Sequence, residues 1–592
     1  MSGEKVGIVG SPSTTVSATV DIVGEASAAP LHGQLVYLTH PLGEKTLIAL
    51  GTVTEIRTSN RWHEDANMRG VLKRHGSLPH LSEVGDVRTA DLLVQAAYEA
   101  TSVDPSVGDP PTESGGALSM SPTTGSPVIR VSDEFLSQLL RRHASEITYL
   151  GTIHRSDVKL PLKLRHFGPE SSGGSGEAYH LGIFGMTGSG KSALASYLIA
   201  TYARHTDMGI LVMDPQGQFT TERGLPFSLR KWAREQGRSV LSYSISRDLR
   251  LARDVGLLRD LLEVTPFFKD ALSVKAAENR ITAGSEFART LRAIEKWDEL
   301  APQDVLRRVL TTMLADERAL VRIYGSQTSR DRLVGAIEGI LDTSADMDVA
   351  LETFAPLHNL FAPKNGAGED RKSLWGVLKH ALSTGASRPL VLIDFSGDGE
   401  GEELLETTSV KARLLRIVCS RLNRVAEDAY KGGESLNTLV VFDEAQRFAA
   451  QEPEDDEARE LAIRLVDYVR TTRKYGLGWM FITQETGSLR RGIYNQLRVR
   501  AFGYGLTSGT ELGRLRETIG DQAALDLYRS FVDPAAIRPA AYPFMLTGPI
   551  SPLSFTGAPV FLSVYTDFAD FRAANEKRAA DEKRAANGFS SA

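Results

Sequence analysis

One stretch constrains this chain more than any other. The apolar run Tyr179-His180-Leu181-Gly182-Ile183-Phe184 passes into Gly185-Met186-Thr187-Gly188-Ser189-Gly190-Lys191-Ser192, followed by a helical pattern with Leu194, Tyr197, Leu198, Thr201 and Tyr202 on one stripe. Such a loop between a strand and a helix fits the pattern G-x-x-x-x-G-K-[ST]. Its glycines let backbone N–H groups turn inward on a phosphate, and the helix N-terminus adds partial positive charge. Lys191 is placed to reach the β- and γ-phosphates and Ser192 to ligate Mg²⁺, so the stretch predicts a site for MgATP.

Further apolar runs have the same character: Gly209-Ile210-Leu211-Val212-Met213, Leu390-Val391-Leu392-Ile393, Leu439-Val440-Val441-Phe442 and Gly478-Trp479-Met480-Phe481-Ile482-Thr483. Continuous apolar strands separated by helices predict an α/β domain built on a parallel sheet with both faces covered. The third run ends in Asp443-Glu444, at the edge where such sheets hold ligands. Asp443 is expected to hold Mg²⁺ through water and Glu444 to polarise the attacking water, a division that needs one carboxylate on the metal and one facing the γ-phosphate. Two acids after a strand are by themselves an ordinary helix start; the glycine loop makes the catalytic role the better one. The last run ends in Gln484, an amide that either senses the γ-phosphate or caps its strand. Asp214 closes the run Gly209 to Met213, where it either supports the metal shell or caps the turn made by Pro215 and Gly217.

A helix carrying Ala458, Leu461, Ala462, Leu465, Val466 and Val469 in register delivers Arg470 and Arg473-Lys474 to its C-terminal end, where cations suit the helix dipole. Arg490, Arg491 and Arg498 are the candidates for contact with DNA phosphates, with a solvated basic loop as the alternative. The balance of 68 basic and 74 acidic residues, net charge −6, gives no general affinity for nucleic acid or an anionic membrane, so DNA contact would need a local basic surface. The single cysteine, Cys419, excludes a disulfide framework and reads as a small buried apolar residue. The twelve histidines show no spacing that specifies a metal site. No apolar run approaches the ~20 residues a membrane span needs and the N-terminus lacks the order of a signal peptide, so a cytoplasmic location is expected.

A length of 592 residues exceeds what one core organises. Short β-branched runs at 16–23, 33–38 and 46–53 predict an N-terminal barrel or sandwich over 1–170, with a mobile Ser/Pro-rich loop at about 101–127 and strands in 147–167 returning to it. Ser171 to Gly176 reads as a flexible connection. Residues 177–224 and 386–567 then form the motor core, 225–385 an inserted helical subdomain, and 568–592 an exposed helical tail.

Taken together, the glycine loop, Asp214-Pro215-Gln216-Gly217-Gln218-Phe219, Leu392-Ile393-Asp394-Phe395-Ser396-Gly397, Val441-Phe442-Asp443-Glu444-Ala445-Gln446, Thr472-Arg473-Lys474-Tyr475-Gly476 and Ile482-Thr483-Gln484 resemble the HerA branch of the HerA/FtsK superfamily of hexameric translocases. The resemblance covers nearly the whole chain, and Leu150-Gly151 with Asp157-Val158 looks like part of the barrel (HAS-barrel-like) that precedes the motor there. It implies a RecA-like P-loop NTPase core, a homohexamer with composite ATP sites, and double-stranded DNA passing through the ring. It also implies Arg473 as a finger inserted into the next subunit's site, and a partner: a NurA-type nuclease in end resection, or a nuclease or SIR2-type, NAD-degrading effector in antiphage defence. A ring scaffold switched by ATP to activate an effector is the alternative outside the motor class. A conjugation-type secretion ATPase is disfavoured by the missing membrane segment. Two departures stand out: Gln218 where the family often has glutamate, and Gln446 in place of a frequent histidine.

Overall fold

Apolar runs that lack strict alternation signal strands buried on both faces, and the N-terminal third shows why. The structure, a computed structural model, describes residues 3–76, 79–114, 118, 120–385, 387–397, 403–453 and 455–576. Its first strands are β1 (Lys5–Val9), β2 (Ser17–Ile22), β3 (Leu35–Leu42), β4 (Lys45–Asn60), β5 (Asp86–Ala100), β6 (Thr112–Glu113) and β7 (Pro127–Arg130). They run in the order β2-β1-β7-β3-β4-β5, and β5 pairs back onto β2, which closes a six-stranded barrel; β6 adds to β5. Closure removes the free edges an open sheet would expose. Val36, Leu38, Leu47, Ala49, Leu92 and Val94 fill the barrel, while Leu35, Tyr37, Ile48, Leu50, Ala96 and Tyr98 on the opposite face join the core of the second domain. Both faces are therefore apolar because one lines the barrel and the other docks.

The second domain carries β8 (Ile147–Ile153), β9 (Lys159–Lys163), β10 (His180–Phe184), β11 (Gly209–Asp214) and β12 (Val240–Ser244). A short ladder, β13 (Leu249–Arg250) with β14 (Lys372–Ser373), stands apart from the main sheet. The remaining strands are β15 (Leu390–Asp394), β16 (Thr438–Phe442), β17 (Leu477–Thr483), β18 (Leu497–Gly503), β19 (Tyr542–Thr547) and β20 (Val560–Val564). One eleven-stranded sheet runs β12-β15-β11-β16-β17-β10-β18-β19-β20-β8-β9. The strands from β12 to β18 are parallel, and β19, β20, β8 and β9 extend the sheet in antiparallel fashion.

Several expectations change. Residues 147–167 do not return to the barrel: β8 and β9 extend the eleven-stranded sheet from β20, since Leu150, Ile153, Leu160 and Leu162 bury themselves in its core. The Ser171–Gly176 stretch is a hydrogen-bonded turn in which Gly174 N donates to Pro169 O, Ser175 N to His166 O and Gly176 N to Gly168 O. The loop at 101–127 holds β6, and its residues 115–117 and 119 lie outside the described residues. The tail does not stand exposed at its start: along a helix over 568–576, Phe568 stacks on Phe227 and Phe571 packs on Tyr197 and Trp232; residues 577–592 lie outside the described residues.

Between β12 and β15 the chain is mostly helical, yet the expected boundary at 225 cuts too early. The helix Leu229–Glu235 and β12 belong to the sheet, and helices from Val255–Glu263 to Ser344–Asn359 follow. These helices have no separate core: Leu258, Phe287, Leu310 and Phe354 belong to the same cluster as Leu211 and Phe442 of the sheet. Cys419 is fully buried in this cluster, as its apolar surroundings predict. No helix among the described residues is long and apolar enough to cross a membrane.

At the edge of the sheet opposite the carboxyl ends of its parallel strands, a buried arginine ties the loops together. Arg388 donates to the carbonyls of Leu436, Asn437 (2.9 Å) and Ala381 (2.9 Å) and to Thr438 Oγ1 (2.7 Å). Burial pulls its guanidinium down to about 10, and the carbonyls are what keep the charge in place. Arg388→Met removes the donors and leaves buried acceptors unpaired, so we expect a loss of about 3 kcal/mol. A denaturation midpoint unchanged from wild type would refute this role.

Candidate nucleotide site

The glycine loop joins β10 to the helix Lys191–Tyr202, whose residues 194–202 are buried on every side rather than along one stripe. Trp232 Nε1 donates to Ala200 O (3.0 Å) across its outer face. The helix is thus fixed within the fold and aims its N-terminus at the carboxyl edge of the sheet. Gly190 is held at φ +90, a left-handed conformation, and a Cβ there would meet the Tyr542 ring at 2.6 Å. Only glycine meets both demands.

Parallel pairing brings the remaining site residues to the same edge. Phe184 pairs with Thr483 of β17, and Phe442 of β16 pairs with Phe481. Register therefore sets Gln484, Asp443 and Glu444 beside the loop. A cavity of about 590 Å³ lies between them, lined by Thr187, Gly190, Lys191, Ser192, Asp443, Glu444, Gln484 and Tyr542 among others. That is room for a drug-sized ligand. A larger cavity of about 1100 Å³ beyond β12 and β15 mixes Arg230, Arg247, Asp248 and Asp394 and has no glycine loop, so size alone does not mark the site.

Charge is arranged unevenly around this cavity. The Lys191 ammonium donates to Gly185 O (2.8 Å) and Met186 O (3.1 Å) of its own loop. Burial lowers its pKa, and the Glu444 and Asp443 carboxylates act against that shift. Asp443 is 3% exposed, and its Oδ2 is buried without a hydrogen-bond partner. Burial first, and then the carboxylates of Asp214 and Glu444, push its pKa up to about 7. A buried carboxylate oxygen with no donor fits a cation. Ser192, facing the same cavity, supplies a hydroxyl, and a hydroxyl and one carboxylate plus substrate phosphates suit Mg²⁺. Ser192 Oγ donates to Gln218 Oε1 (3.0 Å), which leaves its lone pairs for the metal.

Asp214 does not reach the metal position. Its carboxylate accepts from Gln218 N (3.0 Å), Thr220 N (2.8 Å) and Thr220 Oγ1 (2.6 Å), so it caps the turn leading into the helix Gln218–Thr221. The capped turn in turn holds Gln218 against Ser192. Glu444 takes φ 49 and ψ 41, a left-handed conformation unusual for a bulky residue and typical of functional strain. Gln446 Nε2 donates to Glu444 Oε2, which fixes the carboxylate where the sequence departs from the family pattern. Thr187 Oγ1 donates to Gln484 Oε1 (3.4 Å), linking the end of β17 to the phosphate loop.

The basic candidates do not gather at this site. Arg473 follows the helix Asp456–Thr472 at the opposite edge of the sheet: Ala178 N donates to its carbonyl, and its exposed side chain lies 3.4 Å from Glu177. Its own nucleotide site is a full strand length away, so it has no role there. Arg498 lies near the start of β18, exposed and at that same far edge, whereas Arg490 and Arg491 lie near the carboxyl edge, where Arg490 N donates to Ala449 O and Arg491 N to Gln451 Oε1 (2.8 Å). The three arginines therefore form no single patch.

Comparison with known proteins agrees with this geometry in one segment. Residues 178–365 match the family model described as helicase HerA, central domain. This HerA-like segment contains the phosphate loop and stops before Asp443, Glu444 and Gln484, whose placement rests on the sheet register. Over that segment the chain is similar to the helicase HerA central domain. Among curated proteins no match was found. Solved structures overlap loosely. The bacterial conjugative coupling protein TrwB, lacking its first 70 residues, is 13% identical with a TM-score of 0.38, over 74% of this chain and 92% of that one. VirB4 of Thermoanaerobacter pseudethanolicus is 12% identical with a TM-score of 0.38, over 71% and 96%. Overlaps of this size carry no weight for function.

Sequence reasoning passed over Tyr542. No local motif marks Tyr542; only the strand order reveals that β19 begins beside the loop.

The raised pKa of Asp443 gives a test. Its folded value of about 7 lies above the carboxylate's ordinary 3.8, so the folded state holds the proton more tightly and stability falls as pH rises between the two values. Asp443→Asn removes this penalty. Without nucleotide, the variant should gain stability over wild type, more at pH 8 than at pH 5 by on the order of 2 kcal/mol. An equal gain at both values would mean that Asp443 is ionised throughout.

Proposed function

We propose that the chain is a MgATP-hydrolysing motor that drives double-stranded DNA through a homohexameric ring, as a translocase or helicase acting with a nuclease or NAD-degrading effector in antiphage defence. The observation that carries the ATPase reading is the convergence of Lys191, Asp443, Glu444 and Gln484 on one cavity. Lys191 exchanges its loop carbonyls for the β- and γ-phosphates. Glu444, held by Gln446, orients the attacking water and takes its proton. Gln484, bonded to Thr187, carries the state of the γ-phosphate into β17. Mg²⁺ held by Ser192 and Asp443 would neutralise charge between the phosphates.

The helicase in the matched family's description supports DNA as the substrate. The exposed Arg473, turned away from its own site, supports a ring in which it completes the site of the next subunit. The effector and the defence role rest on the resemblance of the motifs. Arg490, Arg491 and Arg498 are proposed to contact DNA phosphates from two edges rather than one loop.

Lys191→Ala should abolish nucleotide binding or turnover, whereas Glu444→Gln should keep binding and lower turnover by about 10²-fold or more. Normal turnover in Glu444→Gln rejects the water-activating role. Arg473→Ala should lose about 10³-fold in turnover without losing nucleotide binding. Mixing Arg473→Ala with Glu444→Gln should restore part of the activity, because mixed rings contain sites with an intact Glu444 beside an intact Arg473. Absence of restoration counts against a finger acting between subunits. DNA should stimulate turnover, and Arg490→Ala with Arg491→Ala should reduce that stimulation.

A further inference from the structure

The strand order makes the cavity directional. Asp443 and Glu444 follow β16 and Gln484 follows β17, on one side of β10; Tyr542 begins β19, on the other side beyond β18. Register carries Tyr542 to the level of the loop. Phe184 pairs with Phe502, Gly503 pairs with Phe544, and Tyr542 lies two residues further along β19 toward that same edge. A triphosphate whose γ-phosphate faces the acids therefore sends its sugar and base toward β19.

Tyr542 is what it meets there. It is half-buried, and it is the only aromatic residue among those lining the cavity, whose other wall is Lys191, Asp443, Glu444 and the amides of Gln216, Gln218 and Gln484. Its ring lies so close to Gly190 that a Cβ there would collide with it. The ring is thus set against the glycine loop.

We propose that Tyr542 is the platform on which the nucleotide base stacks. The proposal rests on the MgATP reading of the site. Stacking on an aromatic face is tolerant of base identity, because every base presents a π-face. A platform of this kind does not by itself distinguish GTP from ATP.

The test compares MgATP with inorganic tripolyphosphate and Mg²⁺, which offers the phosphates without a base, on the full chain carrying Tyr542→Phe or Tyr542→Ala. Stacking predicts that Tyr542→Ala weakens MgATP about tenfold or more, that Tyr542→Phe stays within about twofold, and that tripolyphosphate binds all three proteins equally. Retained tripolyphosphate binding also shows that the loop of the alanine variant is intact. If both ligands weaken together, Tyr542 only buttresses Gly190, and if neither weakens, the base lies elsewhere; either result overturns the platform alone. A wild-type protein that binds neither ligand overturns the nucleotide reading itself.

Discussion

Like charges held together at the carboxyl edge of the sheet are the constraint on which the rest of this structure turns. Burial, and then the carboxylates of Asp214 and Glu444, raise the cost of ionising Asp443, and the Lys191 ammonium offsets part of it. A shift from 3.8 to about 7 corresponds to about 4 kcal/mol of unfavourable interaction in the ionised form. A native domain is stable by only about 5–15 kcal/mol, so this cost must be met by packing elsewhere. The largely apolar β10, β11, β16 and β17 supply it: each is buried along its whole length, so the acids cannot relax away from one another. On the proposed reading, a divalent cation beside Asp443 would offset this cost as it binds.

The same sheet connects the nucleotide edge to the barrel. β19 starts at Tyr542 beside the loop, and the chain between β19 and β20 meets the barrel through buried hydrogen bonds. Tyr98 OH donates to Pro552 O (2.6 Å), Gln95 Nε2 to Pro559 O (2.5 Å) and Phe555 N to Gln95 O (2.9 Å), while Thr52 Oγ1 holds the Gln95 side chain at 2.8 Å. Gln95 is fully buried, so its amide cannot exchange these partners for water. β19 and the barrel are thereby joined through buried polar contacts.

The parts legible in the sequence were those encoded locally. The glycine loop, the strand ending in Asp443-Glu444 and the helix ending near Arg473 all lie where their patterns place them, because each needs only neighbours along the chain to define it. What escaped was nonlocal. β8 and β9 alternate like barrel strands, and only their pairing with β20, some 400 residues later, assigns them to the motor. β12 is partly exposed and contains Ser242 and Ser244, so it lacks the apolar signature of its neighbours although it closes the parallel edge. Asp214 and Asp443 both end apolar strands; hydrogen bonding alone separates the cap from the metal candidate, since the former has its donors supplied by its own turn and the latter keeps a buried oxygen free.

That distinction also explains the glutamine at 218. A glutamate there would set a further carboxylate beside Ser192, close to Asp214, Asp443 and Glu444, and would deepen the repulsion already carried by Asp443. The neutral amide instead accepts from Ser192 Oγ while its own backbone N–H is held by Asp214. A chain of hydrogen bonds thus runs from the end of β11 to the hydroxyl that faces the metal position, adding orientation without adding charge. The amide at 218 therefore adds no charge beside Asp443, whose carboxyl is already pushed up to about 7 by burial and its acidic neighbours.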